Sequence, residues 1–306
     1  MSEATPAPRP AESRLLPTLG LCVTVFCWGS YFPVIEILLA GWDPYTMSAA
    51  RAVLAALTLV ALLACTEGLS GLFRGLPWRR LWIIGIFGVN ANMVLIAVGI
   101  AYSGAVPAAL IAGTTPALAA LMASLVYRER LGLGIWVAVG IAVAGVVLVV
   151  LGGAATGVEF RGGEILVLAS YVLWTWSLFV VQRWLPGPSQ LVRSTAVMLT
   201  GSVAVVVTVG LLYLVGFHPG RADTSLDSLA VLLYSAVFSV AIGSFLWNYG
   251  VSRLGVTVVS LWGNLVPIVA VLLAVWWNGA PVSWLQAAGG ALVLASVIHI
   301  QLRRPG

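Results

Sequence analysis

GIAYSGAVPAALIAGTTP, residues 99–116, is echoed by GVSRLGVTVVSLWGNLVP, residues 250–267: a shift of 151 lays Gly99 on Gly250, Gly104 on Gly255 and Pro116 on Pro267. Further along, one residue of slippage brings Gly140 onto Gly290 and Val147 onto Val297. Upstream, a shift of 146 places Thr24 on Ser170, Trp28 on Trp174, Tyr31 on Ser177 and Glu36 on Gln182. A shift of 142 then places Pro44 on Pro186 and Arg51 on Arg193. An ordered series of matches at a slowly drifting offset marks an internal duplication. The chain therefore reads as two copies of one unit, 14–155 and 156–306, behind a polar, Pro/Ala-rich tail at 1–13 expected to be disordered.

Composition decides what the unit is. Of 306 residues, 61% are hydrophobic and 8% charged, and the mean hydropathy is +1.06. A soluble domain is about 45–50% apolar and about 25% charged, so a water-soluble fold could not cover its surface with polar groups. Disorder needs the opposite balance. A membrane-spanning helix takes about 20 mainly apolar residues. Ten segments reach that length: 16–39, 45–65, 80–101, 105–127, 132–151, 163–184, 191–216, 228–250, 255–277 and 282–302. Their apolar runs are continuous rather than alternating, which excludes a β-barrel. The first run is too long for a signal peptide, and Trp28-Gly29-Ser30-Tyr31 is no cleavage site. Five spans per copy is an odd number, so the second copy enters the bilayer in the opposite sense. The predicted fold is an all-α membrane protein of ten transmembrane helices, built as two inverted five-helix repeats. Many secondary transporters are built this way, with the substrate site near the midplane between the repeats.

Charge gives the orientation. All 15 basic residues are arginine. With a cytoplasmic N-terminus, the inner loops and helix ends carry Arg9, Arg14, Arg74, Arg79, Arg80, Arg128, Arg130, Arg183, Arg193, Arg253, Arg303 and Arg304. The outer side carries only Arg161 and Arg221, and Arg51 is left within a span. Cytoplasmic loops are enriched in basic residues, so a bacterial inner (plasma) membrane location with both termini cytoplasmic is expected. Singly scattered arginines exclude nucleic acid as a partner. Cys22, Cys27 and Cys65 read as small buried hydrophobes. Two histidines, His218 and His299, are too few for a His-rich metal site, and no cofactor is expected.

FCWGSYF at 26–32, AARAVLAAL at 49–57 and the run Ala101–Leu151, with its mid-segment Pro116, Arg128-Glu129-Arg130-Leu131 turn and Gly140…Gly145 helix, resemble the drug/metabolite transporter superfamily, in particular exporters with two EamA domains. The resemblance covers about residues 15–302. It implies ten helices, a central cavity lined by spans 1–4 and 6–9, and spans 5 and 10 at the periphery. It further implies export of amino acids or related metabolites. The family often has an acid at the turn after the fourth helix of each repeat. Glu129 fits; the second half has Trp277-Asn278-Gly279-Ala280-Pro281 instead, so Glu129 reads as a cap or tether.

Charges inside a bilayer are costly and point to function. Two qualify, Glu36 and Arg51, on adjacent spans. They could pair as a tether between helices 1 and 2, or act as an outer gate in which Glu36 is a proton-sensitive carboxylate. Thr24, Trp28, Tyr31 and Ile35 share one face of helix 1 at 100° per residue, and Ser170, Trp174, Ser177 and Val181 share the corresponding face of helix 6. A mixed aromatic and hydroxyl face belongs inside the bundle, as cavity wall or helix packing. Trp262 is also deep, whereas Trp42, Trp78, Trp82, Trp136, Trp276, Trp277 and Trp284 sit near span ends as interfacial residues. Asn90, Asn92, Asn248 and Asn264 are amides that must find hydrogen bonds, from a neighbouring helix or from substrate; Asn90 and Asn92 point nearly opposite ways. Pro116 and Pro267 read as hinges that free the carbonyls of Ala112 and Gly263. Ala287, Ala291 and Ala295, with Ala138/Ala142 and Gly140/Ala144, mark close helix contacts.

No glycine-rich phosphate loop exists, which excludes an ATP-driven pump, and no paired-carboxylate or His–Ser site exists to make an enzyme. The expected function is a secondary transporter of small organic solutes, neutral, zwitterionic or cationic, working as a monomer or weak homodimer in the lipid bilayer. The alternatives are a multidrug exporter of lipophilic cations, and a passive channel or non-transporting membrane protein.

Overall fold

In the computed structural model the described residues are 15–73, 75–127, 132–155, 162–254, 259 and 262–302, and every regular element among them is helical. The first half runs α1 (Leu15–Leu39), α2 (Pro44–Thr66), a single turn α3 (Ser70–Phe73), α4 (Trp78–Ile84), a π segment π1 (Gly85–Ala91), α5 (Asn92–Ser103), α6 (Ala105–Ala112), α7 (Thr115–Tyr127) and α8 (Leu133–Ala155). The second half follows the same plan: α9 (Gly163–Trp184), α10 (Gln190–Leu214), α11 (Leu226–Ala236), a π segment π2 (Val237–Ile242), α12 (Gly243–Leu254), α13 (Val266–Asn278) and α14 (Trp284–Leu302). Among the described residues, five helical runs are long and apolar enough to cross a membrane: Leu15–Leu39, Pro44–Thr66, Trp78–Ser103, Gly163–Trp184 and Gln190–Leu214.

Local signals set the boundaries. Pro44 opens α2, where a missing N–H costs nothing, and Asp43 caps it by accepting from the backbone N–H of Tyr45 and Thr46. Ser189 and Ser225 cap α10 and α11 in the same way. Gly279, at φ 63°, ends α13 in the left-handed region that suits glycine.

Segment 105–127, read from sequence as one span, is two helices broken at Gly113–Thr114. Pro116 is thus no mid-helix kink: it lies in the first turn of α7, and Pro267 lies in the first turn of α13. The Ala112 carbonyl is taken by Thr115 Oγ1 at 2.6 Å rather than offered to a solute. Both breaks nevertheless fall at repeat-equivalent positions, and so do the two π segments.

Helices of one half pack mainly on those of the other, and the pairings are exchanged. α1 packs on α12 and π2, and α9 on α5 and π1; α1 packs on α13, and α9 on α6 and α7; α2 packs on π2, and α10 on π1. α2 lies on α10 and α8 on α14. The α8–α14 contact is antiparallel and backbone-close: a Cβ on Gly145 would lie 2.7 Å from the Gly289 carbonyl oxygen, and one on Gly152 would meet Ser283 and Gln286. Glycine, not alanine, makes this seam. Ala287, Ala291 and Ala295 face outward, Gly140 has open space beside it, and Ala138 and Ala142 pack with Ala117 on α7. The alanine spacing is correct for a helix face, but it is the wrong face.

The largest core cluster joins Phe32, Ile35 and Leu38 of α1 to Ile100 of α5, Ala108 and Ile111 of α6, and Ala270 and Ala274 of α13. Outward-facing tryptophans 78, 82, 136, 276, 277 and 284 fit the interfacial reading, but Trp42 is buried and donates to Ser228 Oγ at 2.8 Å. Cys27 is buried, whereas Cys22 and Cys65 are on the outer face of the bundle.

Candidate functional site

The helix 1 face expected from periodicity turns inward onto the second half. Thr24 Oγ1 donates to the Gly20 and Gly243 carbonyls at 3.0 and 3.2 Å. Trp28 Nε1 donates to the Ser239 carbonyl at 2.9 Å, and its ring lies 5.0 Å from that of Trp247. Ser239 is inside π2, a departure from the ordinary helical ladder of a kind that is frequent at functional sites. Ser239, within the π segment, supplies the acceptor that pairs the indole N–H between the helices and offsets its desolvation. One turn along, Ser30 Oγ and Tyr234 Oη are 2.8 Å apart.

Arg51 is 1% exposed. Its Nε donates to Ser235 Oγ at 3.0 Å, its Nη1 reaches Tyr31 Oη at 3.5 Å, and its Cζ stands 4.8 Å over the Tyr31 ring. Tyr171 of α9 packs against the same core as Tyr31 and makes an edge contact with Trp174 at 6.1 Å. Trp28, Tyr31 and Arg51 thus meet Ser235, Tyr234 and Trp247 where α1, α2, α11 and α12 converge.

The other candidates are placed differently. Glu36 and Arg51, which the sequence allowed to pair, do not meet. Glu36 Oε1 accepts from the backbone N–H of Ala105 at 3.2 Å, and Oε2 accepts from Asn278 Nδ2, which also reaches the Pro33 carbonyl. The carboxylate thereby ties α1 to the start of α6 and the end of α13. Gly104, at φ 81°, makes the tight turn that delivers the Ala105 N–H, and a helix start attracts an anion. The repeat counterparts of the two residues do meet: Arg193 Nη1 donates to Gln182 Oε1 at 3.3 Å.

Ser177 bonds back to the Trp174 carbonyl and is pressed against Gly88 of π1. Asn92 donates to the Ser170 carbonyl at 2.8 Å, holding α5 to α9. Asn90 is buried, donates to Thr208 Oγ1 at 3.0 Å and faces α10, so it is separated from Asn92 as their angular spacing demands. Trp262 and Asn264 are half-buried at the break before α13. The Asn248 side chain, Ser260 and Glu129 lie outside the described residues. An open cavity of about 590 Å³ is found elsewhere, between the loop ends near Glu67, Leu76, Trp184 and Ser189.

Sequence reasoning missed Tyr234, Ser235, Ser239, Trp247, Tyr171 and Asn278. Ser235 and Ser239 lie four apart in an apolar span, a polar stripe that could have marked the helix face opposite Arg51.

The model of the EamA-like transporter family matches residues 16–151 and again 161–302, nearly the whole chain. The chain belongs to the EamA-like transporter family. It is 29% identical over 292 residues to a probable terminal-alkyne amino-acid exporter of Streptantibioticus cattleyicolor, covering 94% of each chain. It is 27% identical over 281 residues to the uncharacterized transporter YyaM of Bacillus subtilis, covering 88% of each. It is 28% identical over 301 residues to the uncharacterized inner membrane transporter YedA of Escherichia coli K12, covering 93% of this chain and 91% of the relative. A crystal structure with 21% identity superposes with a TM-score of 0.62 over 96% of this chain and 100% of its own, a likeness of fold.

Proposed function

We propose that this protein is an inner-membrane secondary transporter that exports amino acids or related small metabolites by alternating access. In this reading the ten spans form two inverted repeats with both termini in the cytoplasm, and the solute site lies where α1 and α2 meet α11 and α12. The observation that carries the reading is the polar and aromatic cluster in which the buried Arg51 meets the half-buried Trp28 and Tyr31 between the two halves of an EamA-family chain. The exchanged pairings of the halves support it, because rocking one half on the other would trade one access side for the other. The relative named as a probable amino-acid exporter supports the solute class. The Glu36–Asn278 tie would act as a closure at one end, and the helix breaks ahead of Pro116 and Pro267 as hinges.

Flux into proteoliposomes, measured with a panel of labelled amino acids with and without a pH gradient, tests this. Saturable uptake that is accelerated by unlabelled solute on the far side is expected. A linear flux without competition would overturn alternating access in favour of a channel, and transport confined to lipophilic cations would overturn the amino-acid reading.

A further inference from the structure

Arg51 sits seven residues into α2, about 10 Å along the helix at 1.5 Å per residue. A guanidinium offers five N–H donors. Here the acceptors are neutral: Ser235 Oγ on Nε, and Tyr31 Oη with the Tyr31 ring on the Nη side. Among the described residues no carboxylate pairs with it. Burying a cation without a counter-charge is costly, more so inside a bilayer.

The fold had a remedy available and does not use it. Arg193, the repeat counterpart of Arg51, satisfies its Nη1 with Gln182 Oε1 and the Leu185 carbonyl, both at 3.3 Å. The counterpart of Gln182 in the first half is Glu36, a full carboxylate and the better partner. Yet Glu36 is drawn away to Ala105 N and Asn278 Nδ2. The first half therefore holds an acid and a cation at corresponding positions and keeps them apart, leaving Arg51 with acceptors weaker than a carboxylate.

We propose that the missing counter-charge is carried by the solute, so that Arg51 is the carboxylate-binding residue of the transport site. This rests on the amino-acid reading above and narrows it to solutes with a free carboxylate. Ser235 holds Nε and thereby aims the Nη edge, the geometry for a two-point guanidinium–carboxylate contact. The solute carboxylate displaces Tyr31 Oη as acceptor. Trp28 and Trp247, one helical turn away, offer an apolar aromatic wall for the solute's side chain. Amides and amines of the same skeleton lack the group that Arg51 binds.

The test uses full-length protein in proteoliposomes, with labelled amino acids and the matching amino amides as probes. For Arg51→Gln the expected result is a loss of amino-acid flux of about 10- to 100-fold, the worth of a charge-assisted contact, with amide flux changed less than about threefold. Ser235→Ala, a milder change, is expected to raise the half-saturating amino-acid concentration several-fold without affecting the amides, and serves alone if Arg51→Gln fails to fold. An equal fall for acids and amides, in either variant, would make the residue structural and overturn the proposal, as would unchanged amino-acid flux. Wild-type protein that carries amides as fast as the matching acids overturns carboxylate recognition while leaving transport intact; slow residual amide flux is the expected baseline. If wild-type protein carries neither, thermal stabilisation of the purified protein decides: a shift produced by amino acids, not by amides, and lost in Arg51→Gln upholds the site although the export reading fails, and no such shift overturns both.

Discussion

Replacing Glu36 probes the tie that joins α1 to α6 and α13. The carboxylate accepts two hydrogen bonds, from Ala105 N at 3.2 Å and from Asn278 Nδ2. Interhelical hydrogen bonds in membranes average about 0.6 kcal/mol and reach about 1.7, whereas bonds to charged groups in proteins generally are worth about 1.5–3. Glu36→Ala removes both and strands two donors, so a loss of about 1–4 kcal/mol is expected. Glu36→Gln is different. Its remaining oxygen can keep the Ala105 N–H, but its amide NH2 then faces the Asn278 NH2. Asn278 Oδ1 is buried and, among the described residues, has no partner. Turning the Asn278 amide over presents that oxygen to the new donor, at the expense of the bond from Nδ2 to the Pro33 carbonyl. Glu36→Gln is therefore expected to cost less than about 1 kcal/mol. Reversible unfolding in mixed micelles, followed by tryptophan fluorescence, measures each variant. With Asn278→Ala as the second arm of a double-mutant cycle, a coupling of at least about 0.6 kcal/mol is expected. Strict additivity of Glu36→Ala and Asn278→Ala, or a Gln variant as damaged as the Ala variant, would refute the tie.

Gly145→Leu forces α8 from α14 at a seam where even a Cβ would lie 2.7 Å from a backbone oxygen, so a loss of about 1–3 kcal/mol is expected, while Gly140→Leu, on the open face of the same helix, stays within about 0.5; the same unfolding titration compares them. Gly201→Ala would set a Cβ 2.3 Å from Val89 Cβ and is expected to lower the melting temperature, with partial recovery in the double variant with Val89→Gly, which removes that Cβ; failure of rescue would remove Val89 as the obstacle. Trp28→Phe keeps the ring near Trp247 but leaves the Ser239 carbonyl in π2 without its donor, and a lower maximal amino-acid flux with folding retained is the expected result in proteoliposomes.

Much of the architecture is legible in the chain because a bilayer enforces it: backbone groups must be satisfied within each helix and the exterior must be apolar. That is why the apolar runs and the two copies of the EamA unit can be read from residues alone. The inward face of α1 is legible for the same reason, since a tryptophan N–H and a tyrosine hydroxyl need polar partners. The partners themselves are not. Nothing local to Arg51 reveals that its neighbour is Ser235, 184 positions away, or that Glu36 answers to Asn278, 242 positions away. Periodicity found a small-residue face on the last helix, but which face meets α8 depended on where a facing helix also carried glycine.

The sequence by itself determined that this is a helical membrane protein of duplicated design, with two charged residues, Glu36 and Arg51, at its polar interior. Only the tertiary structure decided what they do to one another. Hydropathy and repeats are properties of each segment against the solvent around it. An ion pair is a contest between acceptors, and the Ala105 N–H at the tight turn of Gly104, together with the Asn278 amide, outbid the guanidinium for the carboxylate.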